Sequence, residues 1–208
     1  QLMEQNLDWY CDGTFKVVPN FFSQLFIIHV IKNNKLFPCF FVLMEKRDEA
    51  SYSEVFEHIK TISPLLYPMT VMMDFEVATL NALKNVFPIV EPKGCFFHFS
   101  QIIWRRVQKI AIVCNNYKND VNYALNIKQL AALAFVPPID VIRSFEELCE
   151  TSFFRENSSD LHPLLNHFEK SFIGSVLAGQ RNKPKYDITF WNVYDATLKE
   201  IPRTNNAV

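Results

Sequence analysis

Glycine is scarce in this chain, with four among 208 residues, where average proteins carry roughly 7%. Gly13, Gly94, Gly174 and Gly179 stand too far apart to build a G-x-G-x-x-G turn or a phosphate-cradling P-loop. Classical dinucleotide and P-loop nucleotide enzymes are therefore poor candidates. An excess of either charge is also missing: 21 Lys+Arg face 22 Asp+Glu, for a sequence pI of about 6.6. A strongly basic nucleic-acid-binding domain would look different, so any DNA contact must draw on a local patch or on a segment elsewhere. Long hydrophobic runs are lacking too. Leu25–Ile31 and Leu36–Met44 are split by Lys32-Asn33-Asn34-Lys35 and are too short to span a bilayer, and no signal peptide opens the chain. The five cysteines (Cys11, Cys39, Cys95, Cys114, Cys149) lack close regular spacing, which reads as a reduced, intracellular chain. The sequence opens at Gln1 and stops at Val208, and it reads as a piece of a longer protein.

What is present is core-forming material. Hydrophobic residues make up 49%, charged residues 21%, and phenylalanine alone fills 20 positions. This suffices for one good-sized domain or two small ones. The first third reads as strands: Leu7–Cys11 ending at an Asp12-Gly13-Thr14 turn signal, Ser23–Ile31, and Phe37–Met44. The period then changes. Tyr52, Val55, Phe56 and Ile59 mark an amphipathic helix capped at Ser51 or Ser53. Met69–Met73 is a short strand ending at Asp74, and Val77, Leu80, Leu83 and Phe87 mark a second helix closed by Pro88. Ile89-Val90 and Cys95-Phe96-Phe97 flank a fifth strand, interrupted at Pro92-Lys93-Gly94. This order predicts an α/β fold, a mixed five-stranded sheet covered by helices. From Phe99 to about Phe154 helical periodicity dominates, broken at Pro137-Pro138. Asn157–Asp160 reads as a loop, Leu164–Ile173 as another helix, and Arg181–Lys185 as a basic turn before the aromatic stretch Tyr186–Tyr194. The expected division is 7–98 for the sheet core, 99–180 for a helical insertion packed on it, and 181–208 for a return towards the core.

Asp12 and Asp74 are the most informative pair. Each closes a short apolar strand, and two carboxylates on adjacent strands can hold divalent cations that clamp the attacking and leaving oxygens of a phosphodiester. Asp before Gly also suits a turn, and Asp before a helix suits an N-cap. Four phrases occur in order: Asp12-Gly13-Thr14-Phe15, Met73-Asp74-Phe75-Glu76, Cys95-Phe96-Phe97-His98-Phe99-Ser100-Gln101 and Pro202-Arg203-Thr204-Asn205-Asn206. Ala50–Phe56 and Phe168–Gly174 agree with them. Together they resemble the transposase domain of Mutator-like elements, the MULE family, over Leu7 to Val208.

The resemblance implies an RNase H-like fold with a D-D-E triad that binds two Mg²⁺ or Mn²⁺ ions. The family's first two acids fall at Asp12 and Asp74, as catalytic and metal-binding residues. The third carboxylate normally follows the P-R-T-N-N phrase by a few residues, and is expected after Val208. Glu76 and Glu200 do not match its position. The implied partners are double-stranded DNA, at transposon terminal inverted repeats and at a target, and a second copy of the chain; the implied location is the nucleus. The implied activity is hydrolysis at the transposon end followed by strand transfer.

Cys95 and His98 form the family's C-x-x-H motif. They have a role near the metal site, or half of a zinc site with His162 and His167. Cys95 also suits burial as a small hydrophobe. His98, Gln101, Arg105 and Gln108 fall on one face of a helix whose other side carries Phe99, Ile102, Ile103, Val107 and Ile110. That polar stripe is either a DNA contact or a solvated face, and Arg203 is a further candidate contact. Arg106 lands amid the apolar positions, where it snorkels or pairs with a buried acid. Arg181, Lys183 and Lys185 suit a phosphate backbone or an ordinary surface loop. The leading function is the catalytic core of a Mutator-like transposase. The alternatives are a domesticated, inactive DNA- or protein-binding relic, and an RNase H-like nuclease acting on RNA–DNA hybrids.

Overall fold

A computed structural model describes residues 2–15 and 18–205. The chain divides into two compact units, one formed by the chain up to Cys95 together with residues from Thr204 onward, the other by Phe96–Arg203. The helical unit thus begins three residues before the expected 99, and the 181–203 segment belongs to it rather than to the sheet.

The first unit is a mixed RNase H-like sheet. Strands β1 (Asp8–Thr14), β2 (Gln24–Lys32) and β3 (Lys35–Met44) are antiparallel neighbours, and β4 (Thr70–Met73) and β5 (Glu91–Gly94) add in parallel, giving the order β3-β2-β1-β4-β5. Helix α1 (Glu49–Ile62) connects β3 to β4, and α2 (Val77–Val86) connects β4 to β5. The β2–β3 hairpin turns on Asn33 and Asn34, with φ of 51° and 58°. Both central positions of this tight turn need positive φ, which Asn tolerates.

Three local expectations are corrected. Asp12-Gly13-Thr14 is no turn: it continues β1, paired with Ile27, Phe26 and Leu25 of β2. Helix α1 is capped by Asp48, whose carboxylate accepts from the Ser51 backbone N–H at 2.9 Å; Ser51 and Ser53 lie inside the helix. The Pro92-Lys93-Gly94 interruption is itself part of the fifth strand. An edge strand leaves alternate backbone groups unpaired, so a proline there costs no ladder bond.

The core of this unit lies on one face of the sheet. Trp9, Cys11, Ile28, Val30, Val71 and Met73 alternate inward and are at most 1% exposed. Phe56 and Phe87 cover them, Trp9 meeting Phe87 edge-on at 5.8 Å and Phe56 meeting Phe87 at 6.2 Å. Such edge-to-face pairs add to the burial energy of the rings. The other face carries a smaller cluster of Tyr10, Met72 and Cys95.

The second unit contains α3 (Phe96–Gln108), α4 (Ala111–Asn119), α5 (Val121–Ala132), α6 (Val141–Cys149), α7 (Ser152–Glu156), α8 (Ser158–Phe168), the two-residue strands β6 (Val176–Leu177) and β7 (Gln180–Arg181), α9 (Ile188–Trp191) and α10 (Tyr194–Leu198). Ser158–Asp160 open α8 instead of forming a loop, since serine and aspartate suit a helix's first turn. Aromatic packing organises this unit: Phe99 stacks on Trp191 at 4.8 Å and meets Phe172 edge-on at 4.9 Å. Among the described residues Arg106 pairs with no acid; its guanidinium donates twice to the Pro163 carbonyl, at 3.2 and 3.1 Å, tying α3 to α8. Among the described residues no helix is long and apolar enough to cross a membrane.

His29 on β2 is half-buried, and that burial lowers its pKa against smaller opposing effects of the Tyr10 carbonyl and Asp12. Its folded state favours the neutral ring, so it contributes stability above its unfolded pKa of about 6.5, which is lost as pH falls through the lower folded value. Thermal melts from pH 7 to pH 5 will show falling stability, and His29→Asn will flatten that dependence.

Candidate metal centre

Parallel pairing of β1 with β4 sets the geometry of the two acids. Asp8 pairs with Thr70, Trp9 with Val71 and Tyr10 with Met72. Carried two residues further, this register places Asp12 opposite Asp74. Because side chains alternate along a strand, both acids extend the face of Tyr10 and Met72. Their carboxylate oxygens lie within 4.8 Å of each other. Asp74 follows β4 directly and does not cap α2, whose N-cap is Glu76. The turn and N-cap alternatives therefore describe neither residue.

Asn205 fixes this arrangement. Its side-chain amide, 2% exposed, donates to the Cys11 carbonyl at 2.8 Å and to Asp74 Oδ1 at 3.2 Å. One side chain thus joins β1 to the acid that ends β4. The last residue of its phrase, Asn206, lies outside the described residues. Cys11, beside Asp12, is 1% exposed, and burial, then the charges of Asp74 and Asp12, push its thiol pKa well above the ordinary range. It is an inert wall of the centre, since the thiolate is the reactive form.

Gly13 is required by close approach rather than by its backbone angle. A Cβ there would stand 2.6 Å from Gln24 Oε1. Gln24 is 1% exposed and cannot easily move, because its amide donates to Tyr52 Oη at 2.6 Å. Tyr52 Oη in turn donates to Glu76 Oε2 at 2.7 Å, Thr79 Oγ1 reaches the same oxygen at 3.4 Å, and Glu76 Oε1 pairs with Arg47 at 3.1 Å. Glu76 is thereby committed to a polar network, and exposed Glu200 lies in the helical unit. Among the described residues neither joins the Asp12–Asp74 pair as a metal-ligating side chain.

The remaining candidates are spread over the two units. Cys95 is fully buried at the end of β5 in the Tyr10–Met72 cluster, as a small hydrophobe would be. His98 lies in the first turn of α3, partly buried. Phe99, Ile103 and Val107 face the core of the helical unit, while Arg105 and Gln108 are exposed and Gln101 is half-buried. His162 and His167 sit on α8 five residues apart, about 140° around the helix, and among the described residues neither joins a group of three metal-ligating side chains. Arg203 is exposed and its guanidinium lies 5.7 Å from the Phe135 ring centre. In the basic turn, Arg181 is consumed internally by Glu146, Glu169 and the Gly174 carbonyl, and Lys183 pairs with Asp187 at 3.5 Å.

The roles of Asn205, Gln24, Tyr52 and Arg47 were not legible. Asn205 was visible only as part of its phrase, and Gln24 gave one signal, a polar residue opening an apolar strand.

The RNase H-like sheet thus sets two carboxylates side by side, one in β1 and one directly after β4. A family model described as the MULE transposase domain matches residues 9–102, from β1 into α3. That span is a little under half the chain, and over it the chain is similar to the MULE transposase domain. No curated protein matches the chain. The match relates this part of the chain to transposases.

Two outcomes follow. Gly13→Ala will cost about 1–3 kcal/mol in denaturant unfolding, and adding Gln24→Ala will recover part of that loss. In the native protein at pH 8, iodoacetamide followed by peptide mapping will leave Cys11 unmodified, while denatured protein will be alkylated there.

Proposed function

We propose that this chain is the catalytic core of a Mutator-like DNA transposase, acting by metal-dependent phosphodiester hydrolysis and strand transfer at transposon ends in the nucleus. The observation that carries this reading is the approach of the Asp12 and Asp74 carboxylates at the ends of β1 and β4. Hard oxygen donors held this close fit Mg²⁺ or Mn²⁺, which take few carboxylates and leave room for water and phosphate oxygens. Bound there, two such ions supply activation of the attacking oxygen and neutralisation of charge on the leaving oxygen.

The protein's own residues set the conditions for that chemistry. Asp12 and Asp74 supply the anionic oxygens, and Asn205 holds Asp74 through Oδ1 so that its carboxylate keeps one orientation. Cys11 stays neutral beside them and offers no competing nucleophile, which suits direct attack by water or a 3′-hydroxyl. Arg105, Gln108, Gln101 and Arg203 are candidate contacts to double-stranded DNA, and the near-neutral charge of the chain assigns recognition of the inverted repeats to another segment.

The full-length protein will nick an inverted-repeat DNA end with Mg²⁺ or Mn²⁺, EDTA will stop the reaction, and Asp74→Asn will abolish it without lowering the melting temperature. Calorimetric titration of this chain with Mn²⁺ will show at least a tenfold loss of affinity in the same variant. Undiminished cleavage by Asp74→Asn removes the assignment; DNA binding without cleavage by the full-length protein favours the inactive relic.

A further inference from the structure

Beside the two acids the sheet unit carries an arginine and an aromatic ring for which the metal reading has no use. Residues Cys11–Gly13, Phe15, Arg47, Asp74 and Glu76 line one depression in this unit. Within it the Arg47 guanidinium stands 4.5 Å from the centre of the Phe15 ring. Phe15 is 48% exposed and the Arg47 side chain 42% exposed, so both present area to solvent at the edge of the acidic centre. Arg47 covers part of the Phe15 ring, and the rest of this apolar surface faces solvent at a free-energy cost.

The arginine is aimed rather than loose. Its NH2 group pairs with Glu76 Oε1 at 3.1 Å, and Glu76 is itself held through Oε2 by Tyr52, which Gln24 holds in turn. The network starts against Gly13, next to Asp12, and ends two residues after Asp74, so the position of Arg47 is tied to that of the metal-binding pair. A guanidinium has five donors in a planar fork matched to a phosphate, and one carboxylate oxygen uses a small part of that capacity.

We infer that Arg47 and Phe15 form a nucleotide subsite beside the metal centre, Arg47 taking a phosphodiester of the bound DNA strand and Phe15 stacking on a base adjoining it. The inference rests on the nuclease reading of the Asp12–Asp74 pair and deepens it. It also supplies a local cation in a chain of net charge −1, where phosphate binding must come from placed residues.

The test is fluorescence anisotropy with the whole chain and a labelled 30-base-pair duplex carrying a frayed end, in Ca²⁺, over a series of salt concentrations. Arg47→Ala is expected to weaken binding about five- to tenfold and to reduce the salt slope by about 1. Phe15→Ala is expected to weaken binding at least fivefold with the slope unchanged. Glu76→Gln separates the roles of the ion pair. It keeps an acceptor for Tyr52 and releases Arg47, so binding is expected to hold or tighten; a pair that serves folding alone would make Glu76→Gln and Arg47→Ala lose affinity equally. Melting temperatures of all three variants identify any loss due to unfolding. Wild-type binding with an Arg47→Ala slope that does not change overturns the subsite and leaves the metal centre standing. Absence of DNA binding by the unaltered chain overturns the subsite, whereas absence of Mn²⁺ binding in the calorimetric titration overturns the nuclease reading on which it rests.

Discussion

Two negative charges held within 4.8 Å of each other are the constraint around which the sheet unit is organised. Unit charges 4 Å apart repel by about 1 kcal/mol in water, and by about 4 kcal/mol at the effective dielectric typical of a protein surface. Neither side chain would choose this position alone. The backbone imposes it through the parallel β1–β4 register, in which each residue of β1 faces the one 62 positions later. Moving that register by a single residue would turn one acid to the opposite face. The buried face, filled by Trp9, Cys11, Val71 and Met73, prevents such a slip, since the same shift would expose the core.

A chain of polar groups beside the acids is paired link by link. Gln24, Tyr52, Glu76 and Arg47 satisfy one another in series, and a buried network is stabilising only while every member is paired. Gly13 belongs to that series by omission, because any side chain there would displace the Gln24 amide. The D-G-T phrase thus combines two demands in adjacent residues, a charge at one and an absence of atoms at the next.

Much of this was legible in the sequence because it is written in short periods. Short apolar runs bounded by polar turns gave the first three strands and the four-residue strand before Asp74, and i, i+3, i+4 spacing gave α1 and α2. The errors came where tertiary pairing overrides local preference. Asp12-Gly13-Thr14 has turn composition yet pairs with β2, and Glu91-Pro92-Lys93-Gly94 has none of the residues favoured in strands yet pairs with β4 at the sheet edge. Of the candidate site, the two acids could be named from their places at strand ends. The contacts of Asn205 and Arg47 could not, since hydrogen bonds across the fold leave no periodicity behind.

The amide of Asn205 spans 194 positions to reach the Cys11 carbonyl. A ribosome makes the chain from its amino end, so every strand and the whole helical unit leave the exit tunnel before this residue does. A nascent chain therefore carries both acids, unbraced, until Asn205 has emerged, and the brace acts as a late latch on the centre.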